Sequence, residues 1–258
     1  MSDSNLTPDQ ARIRALAARL SRLSASQFIA IETIVAQFEK PHDFKRNDAS
    51  DLVSECVLRE FGDTLRIHHC FSAEPFTKDK FEYALEKVCN FCEIPASRAR
   101  RGNPGYDITI LDVPFSLKTQ ADSGIRASHI HISKFMEMGQ GQWGDDVEDL
   151  TGLRAQFFDH MRSYGRILIL RRLREAGFHV YELVEIPKAL LLEAENGEFQ
   201  MMFKSTQTPK PGYCTVKDAG GKIKFQLYFD GGTERKLQVK RIDKSLCTTH
   251  ATWRFEAG

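Results

Sequence analysis

The stretch Asn103-Pro-Gly-Tyr-Asp-Ile-Thr-Ile-Leu-Asp-Val-Pro-Phe-Ser-Leu-Lys-Thr-Gln120 contains the most informative strand pattern of the chain. Residues 106–111 and 115–119 are rich in β-branched and aromatic side chains, which favours two strands. Residues 112–114, Asp-Val-Pro, separate the two runs and predict a turn. The stretch is therefore predicted to form a β-hairpin.

A carboxylate and a lysine are expected to meet at one end of this hairpin. Asp107 lies near the start of the first strand, and alternation along the second strand puts Ser116 and Lys118 on one face. In phosphodiester hydrolysis a carboxylate holds a divalent cation, here predicted to be Mg²⁺, which neutralises phosphate charge and acidifies a water. A lysine beside it orients that water and favours its hydroxide form. The alternative left open is a strand-end aspartate and a surface lysine.

The segment resembles the PD-(D/E)xK motif of nucleases, with Pro104 and Asp107 as its first half. Ser116 stands where the motif usually has an acidic ligand, and a hydroxyl is a poor substitute for a carboxylate on Mg²⁺. A second acid must then come from elsewhere, or one metal ion is held. Glu82, off the apolar face of the preceding helix, is predicted as the second metal ligand and catalytic residue. Glu86, one turn further along the helix, could replace it, and Gln120 and Asp112 are weaker candidates.

The rest of the chain predicts a mixed α/β domain, because helical and strand patterns alternate from about residue 52. Residues 1–45 are predicted as a helical N-terminal extension and residues 46–258 as the nuclease domain with its DNA-recognition elements. The first helix is predicted to be capped by Thr7 with Gln10, and the polar run 41–50 to be a connection. Strands are also predicted at 167–170, 179–186, 222–229, 236–242 and 248–255.

Composition sets limits on the class of protein. The 258 residues carry 36 basic and 35 acidic side chains, a balance that neither requires nor excludes a nucleic-acid partner. No secretory signal and no apolar stretch of about 20 residues is seen, so no membrane association and a cytoplasmic location are expected. The six cysteines are expected to be reduced. Cys89 and Cys92 have the spacing of half a zinc or redox motif, without a second pair.

Several stretches between about residue 60 and residue 255 resemble, in order, the SmaI type of type II restriction endonuclease, which recognises CCCGGG. They are residues 61–69 (FGDTLRIHH), 77–82 (TKDKFE), 103–110 (NPGYDITI), 117–119 (LKT), 129–134 (HIHISK), 182–188 (ELVEIPK), 209–213 (PKPGY), 228–232 (YFDGG) and 234–238 (ERKLQ). The two N-terminal helices match this family poorly.

The resemblance implies a site and a fold. Glu82, Asp107 and Lys118 stand at the positions of the family's phenylalanine-glutamate pair, its Asn-Pro-Gly aspartate and its Leu-Lys-Thr lysine. The family has a glutamate where this chain has Gln120 and a small residue at Ser116, which argues against residue 120 as a ligand and favours Glu82. The implied fold is a restriction-endonuclease-like mixed central sheet flanked by helices, and the implied products carry 5′-phosphates.

A CCCGGG palindrome in double-stranded DNA is read most economically by a homodimer, one half-site per subunit. Guanine O6 and N7 suit the fork of an arginine, while other basic groups touch only phosphate or water. The predicted DNA contacts are Arg98, Arg100, Arg101, Lys210, Arg235 and Lys236. The family also implies a cognate DNA methyltransferase in the host.

Other interpretations stay open. A repair or junction-resolving nuclease of the same fold would cut without sequence preference. A DNA-binding module with a decayed site is suggested by Ser116 and Gln120. The pairs His68-His69 and His129-Ile-His131 could serve a histidine-type nuclease or a metal, but neither has an accompanying Asn or Cys constellation, which favours structural or DNA-backbone roles.

Overall fold

A computed structural model describes residues 7–100, 105–122, 124–138 and 143–257 of the chain. Asn103 and Pro104 of the quoted stretch lie outside these ranges, as does the predicted DNA contact Arg101. The expectations for these residues stay predictions.

The helices of the described residues belong to three groups along the chain: an N-terminal pair, a pair before the hairpin, and two later helices. They are α1 (Pro8–Leu20), α2 (Ala25–Glu39), α3 (Glu55–Phe71), α4 (Lys78–Phe91), α5 (Asp149–Met161) and α6 (Lys188–Leu192). Thr7 caps α1 through a capping box with Gln10, as predicted.

The strands of the described residues form two sheets. They are β1 (His42–Arg46), β2 (Ala96–Arg98), β3 (Ile108–Ile110), β4 (Val113–Gln120), β5 (His129–Glu137), β6 (Arg166–Glu175), β7 (Phe178–Glu185), β8 (Glu198–Met201), β9 (Gly212–Lys217), β10 (Ile223–Asp230), β11 (Lys236–Asp243) and β12 (Thr248–Glu256). The first sheet has the order β1-β12-β7-β6-β4-β3-β2, and the second β5-β11-β10-β9-β8. Only the β4–β6 pair is parallel among these described strands, so the first sheet is mixed. The predicted mixed α/β fold is confirmed.

The predicted hairpin is present with a tighter turn than expected. Leu111 and Asp112 form the turn with φ of 48° and 62°. Two consecutive residues with positive φ are typical of the two-residue turns that match the twist of a hairpin. Val113 and Pro114 already belong to β4, where Pro114 lies opposite Thr109 of β3. The prediction of a turn over 112–114 is therefore wrong at its carboxyl end.

The polar run 41–50, predicted as a connection, contains the edge strand β1. Phe44 of this strand lies opposite Trp253 of β12. Phe44 is also packed against the α3–α4 core, so a single apolar residue ties a polar strand to the sheet. The division of the chain at residues 45 and 46 stays a prediction, and β1 spans that point.

Strand β4 lies between two cores, and this position decides where its side chains go. Phe115 and Leu117 pack with Phe81 and other residues of α3 and α4. The alternate residues Ser116 and Lys118 therefore point to the opposite side of the sheet. That side carries α5 and the second sheet, whose apolar residues form the other core.

A disulfide joins Cys56, in the first turn of α3, to Cys92, the residue after α4. The expectation of reduced thiols is wrong for this pair, because the antiparallel packing of the two helices brings their ends together. Because Cys92 is in this disulfide, it does not form a metal or redox pair with Cys89. Cys89 is a buried free thiol. None of the helices in the described ranges is both long and apolar enough to cross a membrane.

Candidate active site

Asp107 is held rigidly against β4. Its backbone N–H donates to the Phe115 carbonyl at 2.9 Å. Its Oδ2 accepts the Leu117 N–H at 2.6 Å and the Ser116 hydroxyl at 3.4 Å. Ser116 therefore orients the aspartate in the hairpin. The remaining oxygen, Oδ1, faces the ammonium of Lys78 at 2.7 Å.

Lys118 follows on β4 with its side chain buried. Its ammonium lies 5.4 Å from the ring centroid of Phe135 on β5, a cation–π contact. Burial lowers the pKa of Lys118 to about 8. The negative charge of Asp107 opposes this shift, and the positive charge of Lys78 adds to it. A lysine with this pKa exchanges its proton more readily than a solvated one.

Glu82 and Lys78 lie one turn apart on α4, where side chains at i and i+4 meet. The Lys78 ammonium is 3.3 Å from Glu82 Oε1, so it bridges Glu82 and Asp107. Burial raises the pKa of Glu82, aided by the charge of Asp107 and opposed by Lys78. Burial works against the charged form of Lys78, but the hydrogen bond and charge of Asp107 outweigh it and raise its pKa.

The structure thus brings together all three predicted catalytic residues, and it adds Lys78, which the sequence analysis missed. The available signal was the i, i+4 spacing of Lys78 and Glu82 within the Thr-Lys-Asp-Lys-Phe-Glu stretch. Lys78, Asp107 and Lys118 border a cleft of about 580 Å³ between the hairpin and β5, and Glu82 lies behind Lys78, its ion-pair partner. The lining residues of the cleft include Lys78, Asp107, Ser116, Lys118, Lys134 and His160.

The other candidates for the second metal ligand, Glu86, Gln120 and Asp112, have different surroundings. Gln120 is buried and accepts a hydrogen bond from Arg171. Glu86 accepts from the backbone N–H of Arg98 and pairs with its guanidinium. Asp112 lies in the tight turn at the far end of the hairpin from Asp107. Among the described carboxylates considered from sequence, Glu82 is therefore the one beside Asp107.

The predicted DNA contacts flank the cleft on two sides. On the hairpin side, the Ala99 N–H donates to the Asp107 carbonyl at 2.9 Å, which places Arg98 and Arg100 near Asp107. Arg98 is held by Glu86 and lies over the Tyr83 ring at 3.5 Å. Arg100 is exposed.

On the β5 side, Lys236 lies opposite Glu137 of β5, which lines the cleft. The carbonyl of Arg235, a residue with φ of 39°, accepts the N–H of Met138 after β5. Lys210 is more constrained, since its ammonium donates to the Ser205 carbonyl at 2.6 Å.

Three histidines of the two pairs, His68, His69 and His129, have structural partners. His69 is hydrogen-bonded to Tyr181 at 2.9 Å and stacks on His179 with ring centroids 3.7 Å apart. His68 contacts the Glu74 carbonyl at 2.9 Å. His129 is hydrogen-bonded to the neighbouring Ser128. None of the four histidines in these pairs, His68, His69, His129 and His131, is among the described residues that line the cleft.

A second acidic group, Asp51, Glu185 and His250, has potential ligand atoms within 4.8 Å of one another in the described part of the chain. The positively charged guanidinium of Arg166 already lies between the two carboxylates of this group. It donates to both Asp51 oxygens, at 2.8 and 2.9 Å, and pairs with Glu185. This group is an ion-pair network in place of a metal site.

Comparison with known proteins decides the family. The model of the SmaI family, type II site-specific deoxyribonucleases, matches residues 16–255. The chain is also 43% identical over 209 residues to the type II restriction enzyme SmaI of Serratia marcescens, covering 80% of this chain and 83% of that enzyme. The chain belongs to the SmaI family.

Membership of the SmaI family makes this chain a type II site-specific deoxyribonuclease, a hydrolase that acts on DNA. The matched range contains α4, the hairpin and β5, hence every residue that borders the cleft. Restriction enzymes of this class generally use a divalent metal ion. No solved structure matches the chain.

Proposed function

We propose that this restriction enzyme cleaves both strands of double-stranded DNA at CCCGGG, with Mg²⁺ held by Asp107 and Glu82 and with Lys118 beside the attacking water. The products carry 5′-phosphates. The observation that carries the proposal is the Asp107 carboxylate, fixed through Oδ2 by β4 with Oδ1 turned to a cation, beside a buried lysine in a cleft.

The residues present fit a magnesium ion. Mg²⁺ prefers hard oxygen ligands and is usually held by one or two carboxylates plus waters and substrate phosphate. Asp107 and Glu82 supply such oxygens, and both contact one cationic group, the Lys78 ammonium. When bound, the ion supplies Lewis-acid chemistry: it neutralises charge on the phosphate and acidifies a water.

The protein groups perform the remaining steps. Lys118 is buried, with its ammonium near the Phe135 ring, and it lines the cleft. There it donates to the water that attacks the phosphorus and favours its hydroxide form. The negative charges of Asp107 and Glu82 attract a cation and offset the free-energy cost of removing water from it in the cleft. The Ser116 hydroxyl keeps Asp107 in position.

Recognition of the palindrome is proposed to use a homodimer with two-fold symmetry, so that each cleft receives one scissile phosphate. Arg100, Arg235 and Lys236 flank the cleft and are the groups proposed to reach the DNA. The guanidinium of Arg98 is already held by Glu86 and Tyr83. Arg98 is therefore proposed to support the neighbouring residues that reach the DNA. Lys210 and Arg101 complete the proposed set. A cytoplasmic location with a cognate methyltransferase follows from this activity, since host DNA would otherwise be cut.

The experiment is digestion of a plasmid with one CCCGGG site, in Mg²⁺ and in EDTA, by wild type, Lys118→Ala and Lys87→Ala. Lys87 is an exposed lysine of α4 and serves as the matched control. A single Mg²⁺-dependent cut at that site is expected, lost in Lys118→Ala and kept in Lys87→Ala.

Other outcomes separate the parts of the proposal. Cutting at a different defined sequence would reject CCCGGG and keep the mechanism. Cutting without sequence preference would favour a repair or junction-resolving activity. Specific binding without cutting in any divalent metal ion would indicate a decayed site.

A further inference from the structure

Lys78 lies between the two proposed metal ligands. Its ammonium is 2.7 Å from Asp107 Oδ1 and 3.3 Å from Glu82 Oε1. The other aspartate oxygen is taken by the Leu117 N–H at 2.6 Å, so Oδ1 is the oxygen available to a cation. A divalent ion held by both carboxylates would compete with Lys78 for the same oxygens.

We propose that Lys78 is a placeholder cation that neutralises Asp107 and Glu82 in the metal-free enzyme, leaves them when metal is bound, and then contacts the scissile phosphate. This inference rests on the proposed function, because it requires Asp107 and Glu82 to be the metal ligands. It assigns to Lys78 one role in limiting metal binding and another in contacting DNA, in addition to the role of Lys118 at the water.

The placeholder role follows from charge. Two carboxylates close together repel each other, and both repel a DNA phosphate that enters the cleft. An ammonium between them removes most of this repulsion before any metal ion is present. DNA can therefore approach the metal-free site.

The movement to the phosphate follows from position and side-chain length. Lys78 is the first residue of α4, its side chain is 41% exposed, and it lines the cleft. Lysine carries a compact charge on a flexible four-carbon stem, so its ammonium can swing into the cleft while α4 stays in place. Once a metal ion occupies Asp107 and Glu82, the DNA phosphate is an anionic acceptor within the cleft for the released ammonium.

The test uses two readouts other than cleavage, on Lys78→Met and on the control Lys80→Met, an exposed lysine two residues along the same helix. Calorimetry measures Ca²⁺ binding to the DNA-free protein, since Ca²⁺ also takes oxygen ligands. A gel-shift assay in EDTA measures binding to a CCCGGG duplex.

Lys78→Met is expected to bind Ca²⁺ about tenfold more tightly, because the competing cation is gone. It is expected to bind DNA in EDTA about tenfold more weakly, because two unpaired carboxylates then face the phosphate. Lys80→Met should change neither by more than about twofold. Lys78→Arg keeps the positive charge and should restore DNA binding in EDTA.

Unchanged or weaker Ca²⁺ binding by Lys78→Met, with a wild-type melting temperature in EDTA, would overturn the inference. Asp107→Asn separates this failure from a failure of the proposed function. If Asp107→Asn binds Ca²⁺ like wild type, the proposed metal site itself is wrong. If it loses Ca²⁺ while Lys78→Met binds no more tightly, the role of Lys78 alone is wrong.

Discussion

Gln120 Oε1 accepts a hydrogen bond from Arg171 Nε at 3.0 Å inside the core. Arg171 is fully buried and also pairs with Glu182 of β7. It donates to the carbonyls of Arg126, at 2.7 Å, and His129, at 2.8 Å, in the segment that leads from β4 to β5. Residue 120 therefore helps to hold the two sheets together and is not directed at the proposed metal site, although it shares a strand face with Lys118.

Replacement of Gln120 should therefore affect stability before it affects the metal ion. Gln120→Ala leaves one buried N–H of Arg171 without an acceptor, and should lower the free energy of unfolding by about 1–3 kcal/mol. The Mg²⁺ concentration that gives half-maximal cleavage should stay within about twofold of wild type. Urea denaturation and a Mg²⁺ titration of cleavage measure the two quantities.

Gln120→Glu is the matched control, because a carboxylate can keep the contact with Arg171 as an ion pair. It should regain most of the lost stability. A large rise in the Mg²⁺ requirement of Gln120→Ala, without a loss of stability, would instead make residue 120 a metal ligand.

Lys118→Met should gain stability while losing activity. The pKa of Lys118 is lowered from 10.5 to about 8 in the folded protein, so burial of its charge destabilises the fold fully below pH 8. This penalty disappears as the pH rises from about 8 to 10.5. Removing the charge should raise the free energy of unfolding at pH 7 by about 1–3 kcal/mol and lower the cleavage rate about 10²–10⁴-fold.

Denaturation at pH 7 and single-turnover cleavage test this pair of effects, with Lys87→Met as the exposed control. Equal stability of wild type and Lys118→Met at pH 7 would show that the ammonium is solvated in the cleft. A normal cleavage rate in the variant would remove Lys118 from the mechanism.

Local sequence patterns predicted much of the fold and the Asp107–Lys118 pair, because both depend on side-chain alternation within one hairpin. Glu82 needed the resemblance to the SmaI family as well, since it reaches the hairpin from a separate helix. Lys78 was missed because its contact with Asp107 depends on how α4 packs against the hairpin. Neither the helical nor the strand periodicity of the sequence gives that distance. Strand β1 was missed for a similar reason: its five residues are mostly polar, and pairing with β12 makes them a strand.

The disulfide is a further feature that sequence could not supply, because Cys56 and Cys92 are 36 residues apart without a recognisable spacing. A bond that closes a loop of this length should stabilise the fold by roughly 2–4 kcal/mol relative to the reduced chain. Thiol titration of the denatured, unreduced protein should give four free thiols, those of Cys70, Cys89, Cys214 and Cys247.

Cys56→Ser with Cys92→Ser is the matched variant for denaturation with and without reductant. Reductant should destabilise the wild type and leave this double variant unchanged. Six free thiols in protein purified without reductant would show that the bond is absent.

The stacked histidines His69 and His179 should make the protein sensitive to mild acid. Burial, then the charge of His179, lowers the pKa of His69 to about 3, and burial, then the charge of Arg172, lowers that of His179 to about 4. Both are therefore neutral in the folded protein at pH 5.5, whereas unfolded histidines with pKa near 6.5 bind protons there. The unfolded state binds more protons, so stability falls as pH drops below about 6.5 and keeps falling toward pH 4.

His179→Gln removes one of these groups and should lessen the effect. Between pH 7.5 and 5.5 the wild type should lose about 1 kcal/mol more unfolding free energy than this variant. His42→Gln, at an exposed position on β1, should behave like wild type over the same range. Urea denaturation of the three proteins at both pH values gives the comparison. Equal losses in wild type and His179→Gln would mean that His179 takes up its proton within the folded structure.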